Sequence, residues 1–275
     1  KSLFVFSPLL FSRHLFEART FGRSAAAVLL FSLTASAVYI LNDILDAGKD
    51  REHPVKRLRP IASGTLPVKA AASGLAVILA AALAGSWLLN PAFCATVAGY
   101  FLLNVVYSLW LKETVIIDVM AIAASFVLRI IAGVVAIDVP LSEWLLICAS
   151  LLALFLGFSK RRHELTLLEG NASIHRPVLE EYSPYFLDQM ISLVISATLI
   201  CYILYTLADD TVAKFGSKNL ILTSPFVLYG LFRYMYLVHQ RKTGGDPTAE
   251  LLTDRPLLLD VALWGAAVVV IIYLR

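Results

Sequence analysis

The stretch Gly22–Pro54 reads GRSAAAVLLFSLTASAVYIL followed by NDILDAGKDREHP, an apolar run set directly against a cluster of charges. A membrane-spanning helix needs about 20 mostly apolar residues, and Gly22–Leu41 meets that need. If the helix continues into the charges, offsets of three and seven place Asp43, Asp46 and Asp50 within about 60° of one face. Stacked carboxylates repel by a few tenths of a kcal/mol per pair. A hard cation removes that repulsion, and all-oxygen ligands suit Mg²⁺, with Mn²⁺ as a substitute. Mg²⁺ seldom takes a full protein cage and normally shares its shell with phosphate oxygens. Lys49, Arg51, Lys56, Arg57 and Arg59 crowd the same stretch. They suit the remaining oxygens of a diphosphate. A solvated acidic helix end would leave those cations unexplained. Asn42, at the edge of the cluster, would orient the site.

Seven further runs have the length and composition of spans: Val68–Leu89, Ala92–Leu111, Val115–Ile137, Leu141–Phe158, Phe186–Ala208, Leu220–His239 and Leu257–Leu274. Leu3–His14 is shorter and reads as the remnant of a ninth span, the chain beginning inside a longer segment; Pro8 interrupts it, unlike a signal peptide. Over 275 residues the chain is 59% hydrophobic and 16% charged, with a mean hydropathy of +0.78. A globular domain is about one quarter charged, so this is an all-α polytopic membrane protein. Disorder is excluded by the apolar, aromatic-rich composition. Three cysteines make no disulfide framework; Cys94, Cys148 and Cys201 lie in apolar runs and read as small buried residues. No linker separates domains, so 1–275 reads as one membrane domain.

The connections alternate in charge. Asn42–Pro67, Lys112-Glu113, Ser159–Tyr185 and Gln240–Pro256 carry most of the Lys and Arg, and the positive-inside rule puts them in the cytoplasm. Arg13, Arg19 and Arg23 fall on the opposite side and dissent. The expected location is the bacterial inner (plasma) membrane, multi-pass, with the active site on the cytoplasmic side.

Other polar residues stand out inside or beside the spans. Arg129 lies mid-span, where a charge costs at least about 2.5–3.5 kcal/mol. Asp118 shares its helix face about 16 Å away, too far to pair; both are expected to face a cavity, against an equally weighted structural interhelical pairing. Asn104 and Tyr107 share a face, with Lys112 at the mouth of the same helix, where simple snorkelling is the competing reading. Lys160 and Glu164 are one turn apart in a basic box that also holds Arg161 and Arg162. His53 and His163 are possible bases that nothing in the spacing demands; His175 and His239 read as interface residues. Gly244–Pro247 reads as a turn, with Asp246 and Asp254 as fallback metal ligands.

The motif Asn42-Asp43-x-x-Asp46-x-x-x-Asp50, followed by Arg59–Gly64 (RPIASG), resembles the first motif of the UbiA superfamily of intramembrane prenyltransferases. That resemblance implies a bundle of about nine transmembrane helices around a cavity open to the cytoplasmic face and to lipid, with polar substrate contacts around Asn104, Tyr107 and Lys112. Ordinary members carry a second Asp-rich box in the loop corresponding to Ser159–Tyr185. Here the loop opens with Lys160-Arg161-Arg162-His163-Glu164-Leu165. Basic residues in place of carboxylates suit an additional anionic group. Together with Asp50–Lys56, Tyr185–Met190 and Gly244–Thr248, this box resembles the decaprenyl-phosphate phosphoribosyltransferase branch.

The resemblance implies an Mg-dependent pentosyltransferase that joins phosphoribosyl diphosphate (PRPP) to a decaprenyl-like polyprenyl phosphate and releases diphosphate, in a lipid-linked pentose pathway toward cell-wall arabinan. Asp43, Asp46 and Asp50 would hold the metal. Asn42, Lys56, Arg59, Asn104, Tyr107, Lys112, Asp118, Arg129, Lys160, Arg161, Arg162 and Glu164 would bind substrate. The expected partners are PRPP, the polyprenyl phosphate, the bilayer and a second copy of the chain, with no nucleic acid. Two other readings compete: a prenyl diphosphate donor with an aromatic or lipid acceptor, which the basic second box disfavours, and an anionic-solute transporter, for which no internal repeat is present.

Overall fold

The computed structural model describes residues 2–52, 56–167, 177–241 and 247–273, and every regular element among them is helical. Eight are long and apolar enough to cross a membrane: α1 (Ala18–Leu45), α2 (Val68–Leu89), α3 (Pro91–Leu109), α4 (Ile117–Ile137), α5 (Glu143–Leu167), α6 (Pro184–Leu207), α7 (Ser224–Gln240, extended by a 3₁₀ turn over Asn219–Thr223) and α8 (Arg255–Tyr273). Helices are what such sequence must form in lipid, where each backbone N–H and C=O has to find its partner within the segment. The protein is therefore a multi-pass membrane protein. The stretch expected to be a ninth span is a 3₁₀ turn, Ser2–Phe6, running into a single helical turn, Ser7–Phe11. It is too short to cross alone.

The chain divides into two compact units, Lys1–Leu141 and Ser142–Arg275. In the first, α4 is the most enclosed span, with 56% of its apolar window buried against 11% for α2. Lipid tails are as apolar as leucine, so helices associate through close van der Waals packing of small residues. α4 supplies Ala121, Ala123, Ala132, Gly133 and Ala136 for this purpose. Ala132 and Ala136 pack with Val5, Ala27, Phe31, Phe93, Val97 and Tyr100 in the unit's core. Asn90 fixes the turn between α2 and α3. Its side chain accepts from the Ala92 and Phe93 N–H groups (2.8 and 3.4 Å) and donates to the Val135 carbonyl at 3.2 Å. One side chain thus caps α3 and ties it to α4. At the same end, Arg23 donates to the Ala136 carbonyl at 2.9 Å, so this dissenting cation meets a helix C-terminus.

Gly133 is where the N-terminal segment touches α4. A Cβ there would stand 2.1 Å from the Val5 carbonyl oxygen, a backbone atom that cannot rotate aside. Gly133→Ala is expected to displace Ser2–Phe11 and to cost roughly 1–3 kcal/mol, as overpacking does. Thermal unfolding in detergent checks this, with Gly99→Ala as control because a Cβ at Gly99 meets nothing within 4 Å. Equal midpoints for the two variants would contradict the packing.

In the second unit α5 and α6 pack along their length, and α7 lies against α6 and α8. Ser183 caps α6 by accepting from the Phe186 N–H at 3.1 Å, with Pro184 in the first turn. Tyr202 Oη pairs with Thr223 Oγ1 at 2.6 Å and accepts from Trp264 Nε1 at 3.0 Å, joining α6, the turn before α7, and α8. Arg233 grips Asp254 through two parallel hydrogen bonds, Nε to Oδ1 at 3.1 Å and Nη2 to Oδ2 at 2.8 Å.

That grip holds the Asp254 carboxyl below its ordinary pKa. The sign follows: the contribution is complete above the ordinary carboxylate pKa of about 3.9 and is lost as pH falls through the lowered value. Asp254→Asn is expected to be less stable than the wild type at pH 7, with the gap closing toward pH 3 in a series of thermal melts. A gap independent of pH would show that the ion pair contributes nothing to stability.

Candidate functional site

The last turn of α1 carries Asn42 and Asp43. Asp46 follows as the helix cap, with φ −91° and ψ 2°, and the chain re-enters a short helix, Ala47–Glu52, that carries Asp50. The backbone bonds Asp46 N–H to Asn42 C=O and Asp50 N–H to Asp46 C=O, both 2.8 Å, carry the helical path across the break. The three carboxylates do not form one uninterrupted stripe. Arg59 Nη1 donates to Asp43 Oδ1 at 2.9 Å and to Asp50 Oδ2 at 2.8 Å. Lys56 Nζ lies 4.0 Å from Asp50 Oδ1. Asp46 instead accepts from Lys112 Nζ, on the α3–α4 connection, at 2.8 Å.

The segment that delivers Arg59 is anchored by apolar contact. Ile61 is buried with Ala47 and Ala71 and backed by Ile40 and Ile44. Ser63 N–H bonds back to the Arg59 carbonyl at 2.8 Å, and Gly64 takes the φ of +80° that ends the turn, a conformation open to glycine at no steric cost. Lys112 lies in the 3₁₀ turn Leu111–Glu113 that follows α3. Between it and α4, Ile116 adopts φ 66° and ψ −46°, with the Ile117 N–H bonded to the Val115 carbonyl at 2.7 Å. This is a γ-turn of the strained hand, uncommon for a β-branched residue. It turns the chain sharply between Lys112 and Asp118, which is fully buried in the first turn of α4.

A polar chain leads from this cluster into the span interior. The Ser108 hydroxyl sits between Asn42 Oδ1, in a short contact, and the Asn104 carbonyl at 2.7 Å. Asn104 Nδ2 donates to the Tyr100 carbonyl at 2.8 Å and reaches Ser125 Oγ at 3.5 Å. Arg129 ends the chain. Its Nη1 donates to the Ser125 carbonyl at 2.8 Å and its Nη2 to Tyr100 Oη at 2.9 Å. Its guanidinium lies 4.8–5.5 Å from the centroids of Phe31, Tyr100 and Phe126. The mid-span position leaves two equal readings for Arg129, a cavity-facing residue and a structural interhelical partner. It is 6% exposed, in an aromatic box of the first unit where cation–π attraction and two hydrogen bonds offset part of its desolvation, while its Nε is buried without a hydrogen-bond partner among the described residues. Tyr107, in the last turn of α3, is partly buried.

The basic box lies on the last turns of α5, in the second unit. Arg161 is 1% exposed and donates to Glu164 Oε2 at 2.7 Å. Arg162 donates through Nε to Asp188 Oδ1 at 2.9 Å and through Nη1 to Thr166 Oγ1 at 2.6 Å. His239 Nε2 meets the same Asp188 oxygen at 3.2 Å, so Asp188 ties α5, α6 and α7 together. Lys160 is half-buried, and His163 Nδ1 is buried without a hydrogen-bond partner among the described residues. The fallback ligand Asp254 is taken by Arg233. His53, His175 and Asp246 lie outside the described residues.

Sequence reasoning assigns no role to Ser108, Tyr100 or Asp188. Ser108 carries a usable signal, because it lies one turn beyond Asn104 on the same face. Asp188 and Tyr100 acquire their partners only through contacts between distant segments.

The donor set decides whether a divalent cation suits the first cluster. Among the described residues no three His, Cys, Asp or Glu side chains are gathered tightly enough to cage a metal by themselves. Asp43 Oδ1 and Asp50 Oδ2 nevertheless converge on one positive nitrogen. Two hard oxygens around a cation fit a metal that fills its shell with water and phosphate.

The family model for UbiA prenyltransferases matches residues 3–252. The chain belongs to the UbiA prenyltransferase family. This UbiA-family protein is 35% identical over 247 residues to the decaprenyl-phosphate phosphoribosyltransferase of Mycobacterium tuberculosis H37Rv, covering 90% of this chain and 80% of that one. It is 33% identical over 265 residues to the enzyme of the same name from Corynebacterium glutamicum, covering 94% and 79%. A UbiA homolog from Archaeoglobus fulgidus, bound to DMAPP and Mg²⁺, superposes with a TM-score of 0.70 at 19% identity over all of both chains. That likeness shows the fold, an all-helical membrane bundle with eight candidate spans among the described residues.

Proposed function

We propose that this UbiA-family protein transfers the 5-phosphoribosyl group of PRPP to a decaprenyl-like polyprenyl phosphate and releases diphosphate. The observation that carries the reading is the carboxylate–cation cluster at the end of α1. It combines two converging carboxylate oxygens with Arg59, Lys56 and Lys112 at the edge of an apolar span. Relatives at 33–35% identity that bear the phosphoribosyltransferase name support it.

Asp43 and Asp50 would hold a divalent cation, Mg²⁺ as in the Archaeoglobus neighbour or Mn²⁺ in its place. Such a cation supplies positive charge to the departing diphosphate. Arg59 and Lys56 donate to phosphate oxygens, and Lys112 holds Asp46 beside them. Asn42, fixed by Ser108, orients the rim. In the second unit, Asp188 holds Arg162 of the basic box in direction. A phosphate monoester is already anionic near neutral pH, so the lipid acceptor needs little help from a base. Its oxygen forms the new bond to the anomeric carbon as the bond to diphosphate breaks. The residues contribute alignment and charge stabilisation. The cluster would face the cytoplasm from a bacterial plasma membrane, where PRPP is available.

Purified protein incubated with labelled PRPP and polyprenyl phosphate, and in parallel with labelled prenyl diphosphate and an aromatic acid, separates the two enzyme readings. Label is expected in lipid from the first pair. Product from the second pair only would overturn the proposal.

A further inference from the structure

Asp50 is the most buried of the three carboxylates, with a side chain 5% exposed, and Arg59 is 41% exposed. A buried carboxylate cannot stay charged without a counter-ion close by, and here the counter-ion is a side chain with room to leave. One guanidinium nitrogen serves Asp43 and Asp50 together, as a bridging cation would. The surrounding charges balance: three carboxylates, Asp43, Asp46 and Asp50, face three cations, Arg59, Lys56 and Lys112. Backbone bonds and the buried Ile61 fix the base of Arg59 while its tip stays accessible.

We infer that Arg59 is an internal counter-ion that keeps Asp43 and Asp50 closed to free divalent metal and makes metal binding conditional on a diphosphate. The inference rests on the reading that these two residues hold the metal. A bare cation entering the cluster must displace Arg59 into water and leaves a net positive charge behind. A cation arriving with a diphosphate brings acceptor oxygens, to which the released guanidinium donates in bidentate fashion. Metal and diphosphate therefore strengthen each other's binding, and by linkage the coupling is reciprocal. The same side chain is lock and ligand. This arrangement protects a cluster of carboxylates at a membrane surface from filling with whatever divalent ion is abundant.

The test is binding of Mn²⁺ to the full chain in detergent, followed by electron paramagnetic resonance of the free ion, with and without PRPP. The wild type is expected to bind Mn²⁺ weakly alone and more tightly with PRPP. Arg59→Gln is expected to bind Mn²⁺ alone about tenfold more tightly than the wild type, a coupling within the ordinary range, and to gain less from PRPP. Arg59→Lys, which keeps the charge, should stay near the wild type in metal-only affinity and shows that loss of charge is what matters. Unchanged metal-only affinity in Arg59→Gln, with Mn²⁺ binding weakened in Asp43→Asn, overturns the inference and leaves the metal assignment standing. Mn²⁺ binding indifferent to Asp43→Asn overturns the assignment and the inference with it.

Discussion

Asp43→Asn is expected to lower phosphoribosyl transfer by roughly 10²–10³-fold, the scale seen when one preorganised electrostatic group at a developing charge is removed. The substitution keeps the shape of the side chain and removes the charge that faces Arg59. Asp50 retains Arg59 at 2.8 Å, so the Arg59 segment stays docked and thermal unfolding should move little. The loss should fall on kcat at saturating Mg²⁺, because the charge is needed most as diphosphate departs. Steady-state rates with labelled PRPP decide it. A near-normal rate would take Asp43 out of the site.

Arg129→Ala is expected to be the most destabilising of the polar substitutions, at roughly 3–5 kcal/mol. It empties a volume enclosed by Phe31, Tyr100 and Phe126 and leaves the Tyr100 hydroxyl without its donor. Arg129→Met refills most of that volume without a charge, and buried ions replaced by apolar groups of similar size are often tolerated. The methionine variant is therefore expected to recover much of the thermal midpoint and to keep its KM for PRPP. An alanine variant with an unchanged midpoint and a raised KM would instead return Arg129 to substrate binding, the role its mid-span position suggests.

Asp43 and Arg129 mark the two extremes of what a residue's place in the sequence reveals. Span positions follow from hydropathy because lipid makes helix formation obligatory over long apolar runs; Val68–Leu89 agrees at both ends. The Asp43–Asp50 cluster is legible because unscreened like charges beside an apolar wall require an explanation at the level of chemistry. Pairings are not legible. Asp46 turns to Lys112, 66 residues away, and Asn42 to Ser108 at the same separation. No local pattern encodes either contact. The single-residue break at Asp46, whose carboxylate accepts from Lys112, is likewise absent from any local pattern. Arg129 stays open to two readings in the sequence for a related reason. A charge in a span signals a polar surface only when no aromatic box is available to enclose it, and the box is assembled from α1, α3 and α4. In the second box the buried Arg161 donates to Glu164 at 2.7 Å, a contact the i,i+4 spacing of Lys160 and Glu164 does not announce.

The most direct test of phosphoribosyl transfer follows two labels through one reaction. PRPP carrying one isotope in the ribose and another in the diphosphate is incubated with polyprenyl phosphate, Mg²⁺ and the purified protein, and the products are partitioned between organic and aqueous phases. The ribose label is predicted to enter the lipid while the diphosphate label stays in water, in equal amounts. Diphosphate label in the lipid, or no transfer of ribose with every component present, would contradict it.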